Sequence, residues 1–214
     1  MKIITGATGQ NHVTAGNDGE FNQGIFGTAG VVLALGNKFT ASIVDNNTIR
    51  VADGDLIFQG RHALIEPDTT ENVAIATGEV GYKRIDLIVA RYEMSASTGY
   101  ESIELKVIEG TQTTGTPAVP TYTSGDIRRG ATKAEFPLYQ VTITDVSITE
   151  VKKLFTARDK SLLEELAEKL NGNAIDSKPT AKSENPVSSG GVYAELGKKS
   201  DTGHKHNVSD INDF

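Results

Sequence analysis

The chain has 214 residues, 37% of them hydrophobic, and it contains no cysteine. This length allows one sizeable hydrophobic core with a smaller appendage, and without disulfides any resistance outside a cell must come from packing or oligomerisation. With 28 acidic against 21 basic residues, the net charge is −7, the wrong sign for a general nucleic-acid binder or a protein that binds anionic membranes.

The N-terminal sequence MKIITGATGQNH lacks the long apolar stretch of a secretory signal. No other run of residues is apolar enough over a sufficient length to predict a membrane-spanning helix. We therefore expect no membrane insertion, and we expect synthesis and first assembly in a cytoplasm.

Glycine is dense in residues 1–37, and the apolar pieces between the glycines are short. This pattern predicts loops, turns and short strands, in which backbone contacts matter more than side chains. Residues 5–30 are our first choice for docking to another protein, because a neighbour can complete the exposed edge of short strands.

Short runs rich in β-branched and aromatic residues follow from Lys38 onward, separated by DNN, DGD and EPDTT. They predict antiparallel strands joined by tight turns. Asp53 and Asp55 flank the glycine of DGD and raise the alternative of a calcium site. An EF-hand loop is absent, so we interpret DGD as a hairpin turn. His12 and His62 have no ligand cluster at metal-binding spacing, and we expect each to make local hydrogen bonds.

Longer runs at residues 84–93 and 101–110 predict a central hairpin, and a final strand pair at 138–145 and 147–154 closes the domain. We therefore predict an antiparallel β domain of about ten strands over residues 1–154.

A segment without periodicity lies between these strand pairs and contains Arg128, Arg129 and Lys133. We interpret it as a solvated loop, and the alternative is contact with an acidic partner surface.

Leucines at helical spacing then appear at positions 163, 166 and 170, with Leu162 beside them and charged residues on the opposite side. The pattern predicts a helix of about 15 residues within 155–171. Two uses of the leucine stripe stay open. It packs against the β domain, or it joins copies of the chain, with the three leucines at positions a, d and a of a coiled coil.

Residues 172–214 are rich in Pro, Ser, Lys and Gly and predict an extended connector. A short helix near 189–197 carries an apolar patch made of Val192, Tyr193 and Leu196. So few residues surround this patch that one chain cannot bury it, whereas several parallel chains can.

Two C-terminal stretches, KPTAKSENPVSSGGVYAEL and GHKHNVSDINDF, resemble segments that link domains in trimeric tail fibres of bacteriophages and tail-like particles. Three further stretches resemble baseplate or tail-fibre proteins from phages of Gram-positive bacteria. They read ITGATGQNHVTAGNDGEFNQGIFG, NNTIRVADGDLIFQGRH and GYKRIDLIVARYE.

The resemblance implies a mainly β fold with three parts: a baseplate-attachment domain at 1–154, a trimerising helix at 155–171 and a fibre stalk at 172–214. It implies a homotrimer that docks on other tail proteins of a virion and carries the host-recognition apparatus after release by lysis. The expected trimer interface is formed by Leu162, Leu163, Leu166, Leu170, Val192 and Leu196. Host recognition in such fibres lies further toward the C-terminus, where a distal element would contact cell-wall glycan.

The resemblance also suggests a metal site at His204 and His206, because His-x-His pairs bind metal in long tail fibres. Side chains at alternate positions of an extended strand point the same way, so three chains would present six imidazoles around one axis. Six imidazoles suit a divalent first-row transition metal such as iron, nickel or zinc. The alternative is a pair that is merely solvated or hydrogen-bonded in a local turn.

The sequence contains no cysteine nucleophile, no G-x-S-x-G elbow and no dinucleotide-binding fingerprint. Acidic residues are numerous, but the sequence does not pair two of them across a sugar cleft. We therefore expect no enzyme. The rival function is a host-surface adhesion protein whose β domain binds carbohydrate, and saturable binding of host cell wall to residues 1–154 would distinguish the two.

Overall fold

Strands dominate the structure, a computed structural model in which 46% of residues are strand and 18% helix. It describes residue 4 and residues 13–158, 162–172, 176–179 and 187–201. The mainly β, antiparallel fold predicted from the sequence is confirmed. The chain divides into two units, Met1–Asp159 and Lys160–Phe214, and the predicted three-part division stays a prediction.

The first unit contains one α-helix, eight strands and a 3-10 turn within its described residues. In chain order they are α1 (Ala15–Phe26), β1 (Gly30–Val32), β2 (Ala41–Asp45), β3 (Thr48–Phe58), β4 (Arg61–Ala74), β5 (Lys83–Met94), β6 (Glu101–Ile108), the 3-10 turn (Ile127–Arg129), β7 (Lys133–Thr144) and β8 (Ser147–Lys153).

The strands form two antiparallel sheets of four. In the first sheet β4 pairs with one edge of β3, while β1 and β2 share its other edge. The second sheet has the order β6-β5-β7-β8. The predicted central hairpin, β5 with β6, and the predicted closing pair, β7 with β8, are both confirmed.

The hydrophobic core lies between the two sheets, because both contribute alternate side chains to one cluster. Burying each such Val, Leu or Ile side chain stabilises the fold by about 1.5–3 kcal/mol. The cluster includes Ile49, Val51, Leu56 and Phe58 of β3, Ile88, Ala90 and Tyr92 of β5, and Leu138, Val141 and Ile143 of β7.

The opposite face of the second sheet is also covered. Thr113 pairs with Lys83 at the edge of β5 that faces β6. The Glu135 N–H donates to Thr123 O at the edge of β7 that faces β8. Residues 113–123 therefore cross this outer face, where Leu87 and Val89 are fully buried. A strand buried on both faces reads as a continuous apolar run, as β5 does.

The segment DGD is not a hairpin turn, contrary to our interpretation, because it lies inside β3. Ala52 pairs with Thr70 but Gly54 pairs with Ile65, so the register shifts here and residues 66–69 of β4 lie opposite Asp53 alone. The alternation of β3 inverts at this irregularity. Val51 faces the core before it and Leu56 faces the core after it. The runs TIRVA and DLIFQG, each of which predicted a strand, belong to β3, and the runs HALIE and NVAIA belong to β4. The described part of the first unit therefore has fewer strands than the ten or so that we predicted.

Residues 15–26 form α1, where we predicted only loops, turns and short strands. The helix is fixed by its cap and by close backbone contact rather than by an apolar stripe, so the period-based prediction missed it.

The first unit has two distinct ends. The helix end carries α1, the β3–β4 turn at Gln59 and Gly60, and the start of β6. The far end carries the β2–β3 turn, the loop 75–82 and the β7–β8 turn.

A buried ion pair holds the far end together. Arg84 and Asp86 of β5 are fully buried, with Arg84 Nε 3.0 Å from Asp86 Oδ1. The guanidinium also donates to the carbonyls of Ala76 and Thr77, and Asp86 accepts from the Gly110 N–H at 2.9 Å. Removing one partner of such a pair leaves a buried charge and costs about 3–5 kcal/mol.

The predicted helix within 155–171 begins at Leu162 rather than at Phe155. Arg158 instead lies beside β1, where its N–H donates to Val32 O at 2.7 Å and its carbonyl accepts from the Ala34 N–H at 2.9 Å. These bonds hold the chain extended, so no helix forms there.

The second unit contains two described helices, α2 (Leu162–Gly172) and α3 (Ser189–Asp201). The α3 helix extends four residues beyond the predicted end at Gly197. Asp176 and Val187 form a parallel bridge, and the Ser188 N–H donates to Asp176 O at 2.9 Å. The short helix predicted near residues 189–197 lies within α3.

Candidate docking surface around the N-terminal helix

Helix α1 starts with a reciprocal cap. The Asn17 N–H donates to Thr14 Oγ1 at 3.2 Å, and the Thr14 N–H donates to Asn17 Oδ1 at 3.2 Å. A capping box satisfies two backbone donors at the first turn. The helix nevertheless contains three glycines, Gly16, Gly19 and Gly24, each of which disfavours helix by about 1 kcal/mol relative to alanine. It therefore depends on tertiary contacts.

Helix α1 contacts the β3–β4 turn through two glycines, Gly19 and Gly60. Gly60 has a φ of 83°, and a Cβ built there would lie 1.8 Å from Gly19 O. Asn22 adds a hydrogen bond from Nδ2 to Gly60 O at 3.2 Å. The expectation that backbone contacts dominate the glycine-rich start is confirmed at this position.

A polar cluster beneath α1 joins the two sheets. Arg61 of β4 binds Glu101 of β6 in a bidentate pair, with Nε–Oε2 at 2.9 Å and Nη2–Oε1 at 2.8 Å. The hydroxyl of Tyr92 donates to Glu101 Oε1 at 2.9 Å. We call these three residues the sheet clamp.

The sheet clamp shifts the pKa of each member. The Arg61 hydrogen bonds hold the pKa of Glu101 below its usual value, and Glu101 in turn raises the pKa of Arg61. Burial, followed by the bond to Glu101, raises the pKa of Tyr92 to about 12. All three groups therefore keep their ordinary ionisation near neutral pH, and the clamp is intact there.

Three hollows surround α1. One of about 340 Å³ is lined by the sheet clamp together with Asp18, Asn22, His62 and Ser102. A second of about 770 Å³ lies against the outward side of the helix and includes Ile4, Val13, Phe21 and Gly24. A third of about 460 Å³ includes Gln23, Thr28, Gln59 and Arg128. The hollows share Asp18, Gln23, Thr28 and Arg128, so they form one uneven surface with α1 in its middle.

Apolar side chains are exposed on the outward side of α1. Phe21 is 71% exposed, and Ile25, one helical turn later, is also exposed, as is Val13 before the helix. Exposed aromatic residues next to a concave surface are typical of protein interaction sites. We call α1 and its three hollows the docking surface.

The basic segment borders this surface. Arg128 Nε lies 3.3 Å from Glu20 Oε1 of α1, and Arg129 Nε lies 3.4 Å from Asp126 Oδ2. Both arginine side chains are exposed, as expected of a solvated segment, but they belong to a 3-10 turn. Lys133 belongs to β7 rather than to a loop.

Gln59 fixes the 3-10 turn, and no sequence signal pointed to it. Its Nε2 donates to Gly125 O at 2.6 Å, and its Oε1 accepts from the Ile127 N–H at 2.9 Å. Because both ends of the amide are used, the turn is held against the β3–β4 turn and Arg128 is positioned beside α1.

The aspartates of DGD have separate partners. Asp53 is buried and accepts from the backbone N–H and the side-chain amide of Asn37. Asp55 Oδ1 lies 2.7 Å from Nε2 of His62, which confirms the local hydrogen bond expected of that histidine. His12 lies outside the described residues. Within the described ranges, no three metal-ligating side chains lie together.

The predicted trimer residues are exposed wherever their side chains are described. Leu166 of α2 is 53% exposed, and Val192 and Leu196 of α3 are 41% and 60% exposed. Tyr193 on α3 is exposed as well. The side chains of Leu162, Leu163 and Leu170, and the whole of His204 and His206, lie outside the described part of the chain.

The direction of the chain at Arg158 is set by its pairing beside β1. β1 starts beside Phe58 near α1 and runs toward the far end, and Arg158 pairs in parallel with Leu33. The chain at Arg158 therefore runs away from the docking surface.

No protein-family model matches the chain, and a comparison with curated proteins found no match either. None of the described helices has the length and apolar character that are needed to cross a membrane.

Proposed function

We propose that this chain is a structural subunit of a bacteriophage tail fibre or baseplate. It docks on another tail protein through the docking surface, trimerises through the helices of its second unit, and carries the host-recognition apparatus. In this proposal the chain has no catalytic activity. The quoted sequence stretches that resemble tail proteins support it.

The observation that supports the proposal is the position of the docking surface relative to the direction of the chain at Arg158. The docking surface lies at one end, and at Arg158 the backbone is directed toward the opposite end. An attachment protein needs this arrangement, because the end that binds the tail must stay clear of the segment that leads outward.

Exposed leucine supports the trimer. Leu166 is 53% exposed although it lies in the middle of α2, and it occupies the d position between Leu163 and Leu170. Removing a leucine side chain from water is favourable by roughly 1.5–3 kcal/mol. Three parallel copies of α2 would bury this position on their common axis.

Light scattering tests this proposal, because it measures the molecular mass of the full chain in solution. We expect a trimer for the parent and a monomer for Leu166→Asp, because three carboxylates would be forced onto one apolar axis. Glu168→Lys, on the opposite side of α2, serves as the matched control and should remain trimeric. A parent that is monomeric would rule out the trimer.

The proposal includes an axial metal at His204 and His206, in which six imidazole nitrogens from three chains hold one divalent transition metal. Such an ion would hold three chains together where the sequence offers few apolar residues. Elemental analysis of the purified protein and of His204→Ala and His206→Ala tests it. Negligible metal in all three samples would remove the site.

A second candidate is carbohydrate binding by the first unit, and the hollow of about 340 Å³ favours it. Its lining offers the amide of Asn22, the imidazole of His62 and the hydroxyl of Ser102, groups that hydrogen-bond sugar hydroxyls. Saturable binding to purified host cell wall, lost in Asn22→Ala, would favour this function over attachment alone.

A further inference from the structure

We propose that the far end of the first unit is a contact surface between copies of this chain. Five apolar side chains on neighbouring elements of this end are exposed, and we call them the far-end patch: Ile43, Val44, Val80, Tyr82 and Val146. The inference rests on the trimer of the proposed function and names a second set of residues that would hold it together.

The far-end patch combines three neighbouring elements. Ile43 and Val44 belong to β2, Val80 and Tyr82 to the loop before β5, and Val146 to the β7–β8 turn. Val80 is 74% exposed, the largest value of the five. Exposed large apolar residues are ordinary when scattered, but several at one end of a domain indicate an interaction site.

The loops that carry the patch are firmly attached. Asn47 Nδ2 donates to Ile75 O at 3.0 Å and to Thr77 Oγ1 at 2.9 Å.

The β7–β8 turn is also firmly attached, in this case to the loop before β5. The Gly81 N–H donates to Asp145 Oδ1 at 2.7 Å, and the Asp145 N–H donates to Tyr82 O at 2.9 Å. With the buried Arg84–Asp86 pair beside them, these bonds hold in place the backbone of the loops that carry the patch. A fixed surface loses little conformational entropy when it binds.

We take the occupant to be another copy because of the direction of the chain at Arg158. At Arg158 the backbone runs toward the far end, along the side of β3 that β2 occupies. Only residues 159–161 separate Arg158 from Leu162, a connection that spans at most about 14 Å. Chains joined at α2 would therefore keep their Arg158 residues close together.

Joining the chains at α2 determines whether the contact between far-end patches is stable. Five side chains bury far less than the roughly 1,000 Å² that an independent protein interface needs, so the patch cannot join free monomers. Once a coil links three chains, the effective concentration of one patch near the next rises to about the millimolar range. A contact that is negligible between free molecules is then occupied in the trimer.

The test uses single cysteines in the full chain, which has none of its own. Val80→Cys and Val146→Cys are treated with a short bis-maleimide, and Tyr100→Cys is the matched control. Tyr100 is 79% exposed and lies at the helix end, next to Glu101.

We expect covalent dimers for both far-end variants and none for the control. Because one reagent joins two of three chains, the dimer should level off at about two-thirds of the protein. Dilution should leave the yield unchanged, since the contact forms within one trimer.

A trimer by light scattering without far-end cross-links, or with equal cross-linking at Tyr100→Cys, would overturn this inference and leave the trimer standing. A monomer would overturn both.

Discussion

At the scale of single residues, Glu101 has the largest role that the sequence did not reveal. It binds Arg61, which is 40 positions away in the chain, and Tyr92 on the neighbouring strand. No periodicity or motif links residues at such a separation, so only the folded sheets bring the sheet clamp together.

We predict that Glu101→Gln destabilises the protein in a pH-dependent manner. The pKa of Glu101 is lower in the folded state than its ordinary value of 4.5. Its contribution is therefore present above pH 4.5 and is lost as the pH falls through the folded-state pKa. We expect a loss of about 1 kcal/mol at pH 7, because the pair is partly exposed to solvent.

The measurement is urea unfolding of parent and variant at pH 7 and pH 3. The difference between their midpoints should be clear at pH 7 and small at pH 3. Glu104→Gln on the same strand is the control, since Glu104 pairs with Lys106 in full contact with solvent. A difference that is unchanged between the two pH values would exclude the ionised Glu101 as its source.

At the scale of elements, α1 depends on a position where no side chain fits. Gly60 combines a positive φ with contact to Gly19, so Gly60→Ala must displace the helix. We predict a loss of about 2 kcal/mol, with faster hydrogen exchange confined to the amides of α1.

Gly24→Ala, within α1 itself, should have the opposite effect on stability. A Cβ at Gly24 meets nothing within 4 Å, so alanine should raise the stability of α1 by up to about 1 kcal/mol. Hydrogen exchange followed by mass spectrometry measures both variants. Equal protection of α1 in Gly60→Ala and in the parent would contradict the glycine contact.

The elements also show what the sequence could predict. The strands of both hairpins in the second sheet were predicted because β-branched and alternating residues mark them directly. The long β3 was divided in two because its alternation inverts at the irregularity beside Asp53, and such an inversion resembles a turn in the sequence. Helix α1 was missed because its glycines hide the periodicity and its stability comes from Gly60, more than thirty residues away.

At the scale of the whole molecule, the proposed function predicts that Phe21→Asp prevents attachment to a phage tail and leaves the proposed trimer intact. Phe21 is the most exposed apolar side chain of the docking surface. Loss of a central aromatic contact weakens a protein interface by about 2–4 kcal/mol, or roughly 30-fold and more.

Co-sedimentation with tail particles that lack this subunit measures the attachment, and light scattering measures the mass. Val119→Asp, which changes an exposed residue on the outer face of the second sheet, is the control and should attach normally. Normal attachment of Phe21→Asp would place the contact elsewhere.

The bonds between Arg158 and β1 determine how the molecule responds to mechanical force. If a fibre pulls on the C-terminal segment away from the tail, the load runs along β1. The bonds to Val32 and Ala34 are then strained together in shear instead of being peeled apart in turn. A junction loaded in this way resists sudden tension better than one whose bonds break in turn.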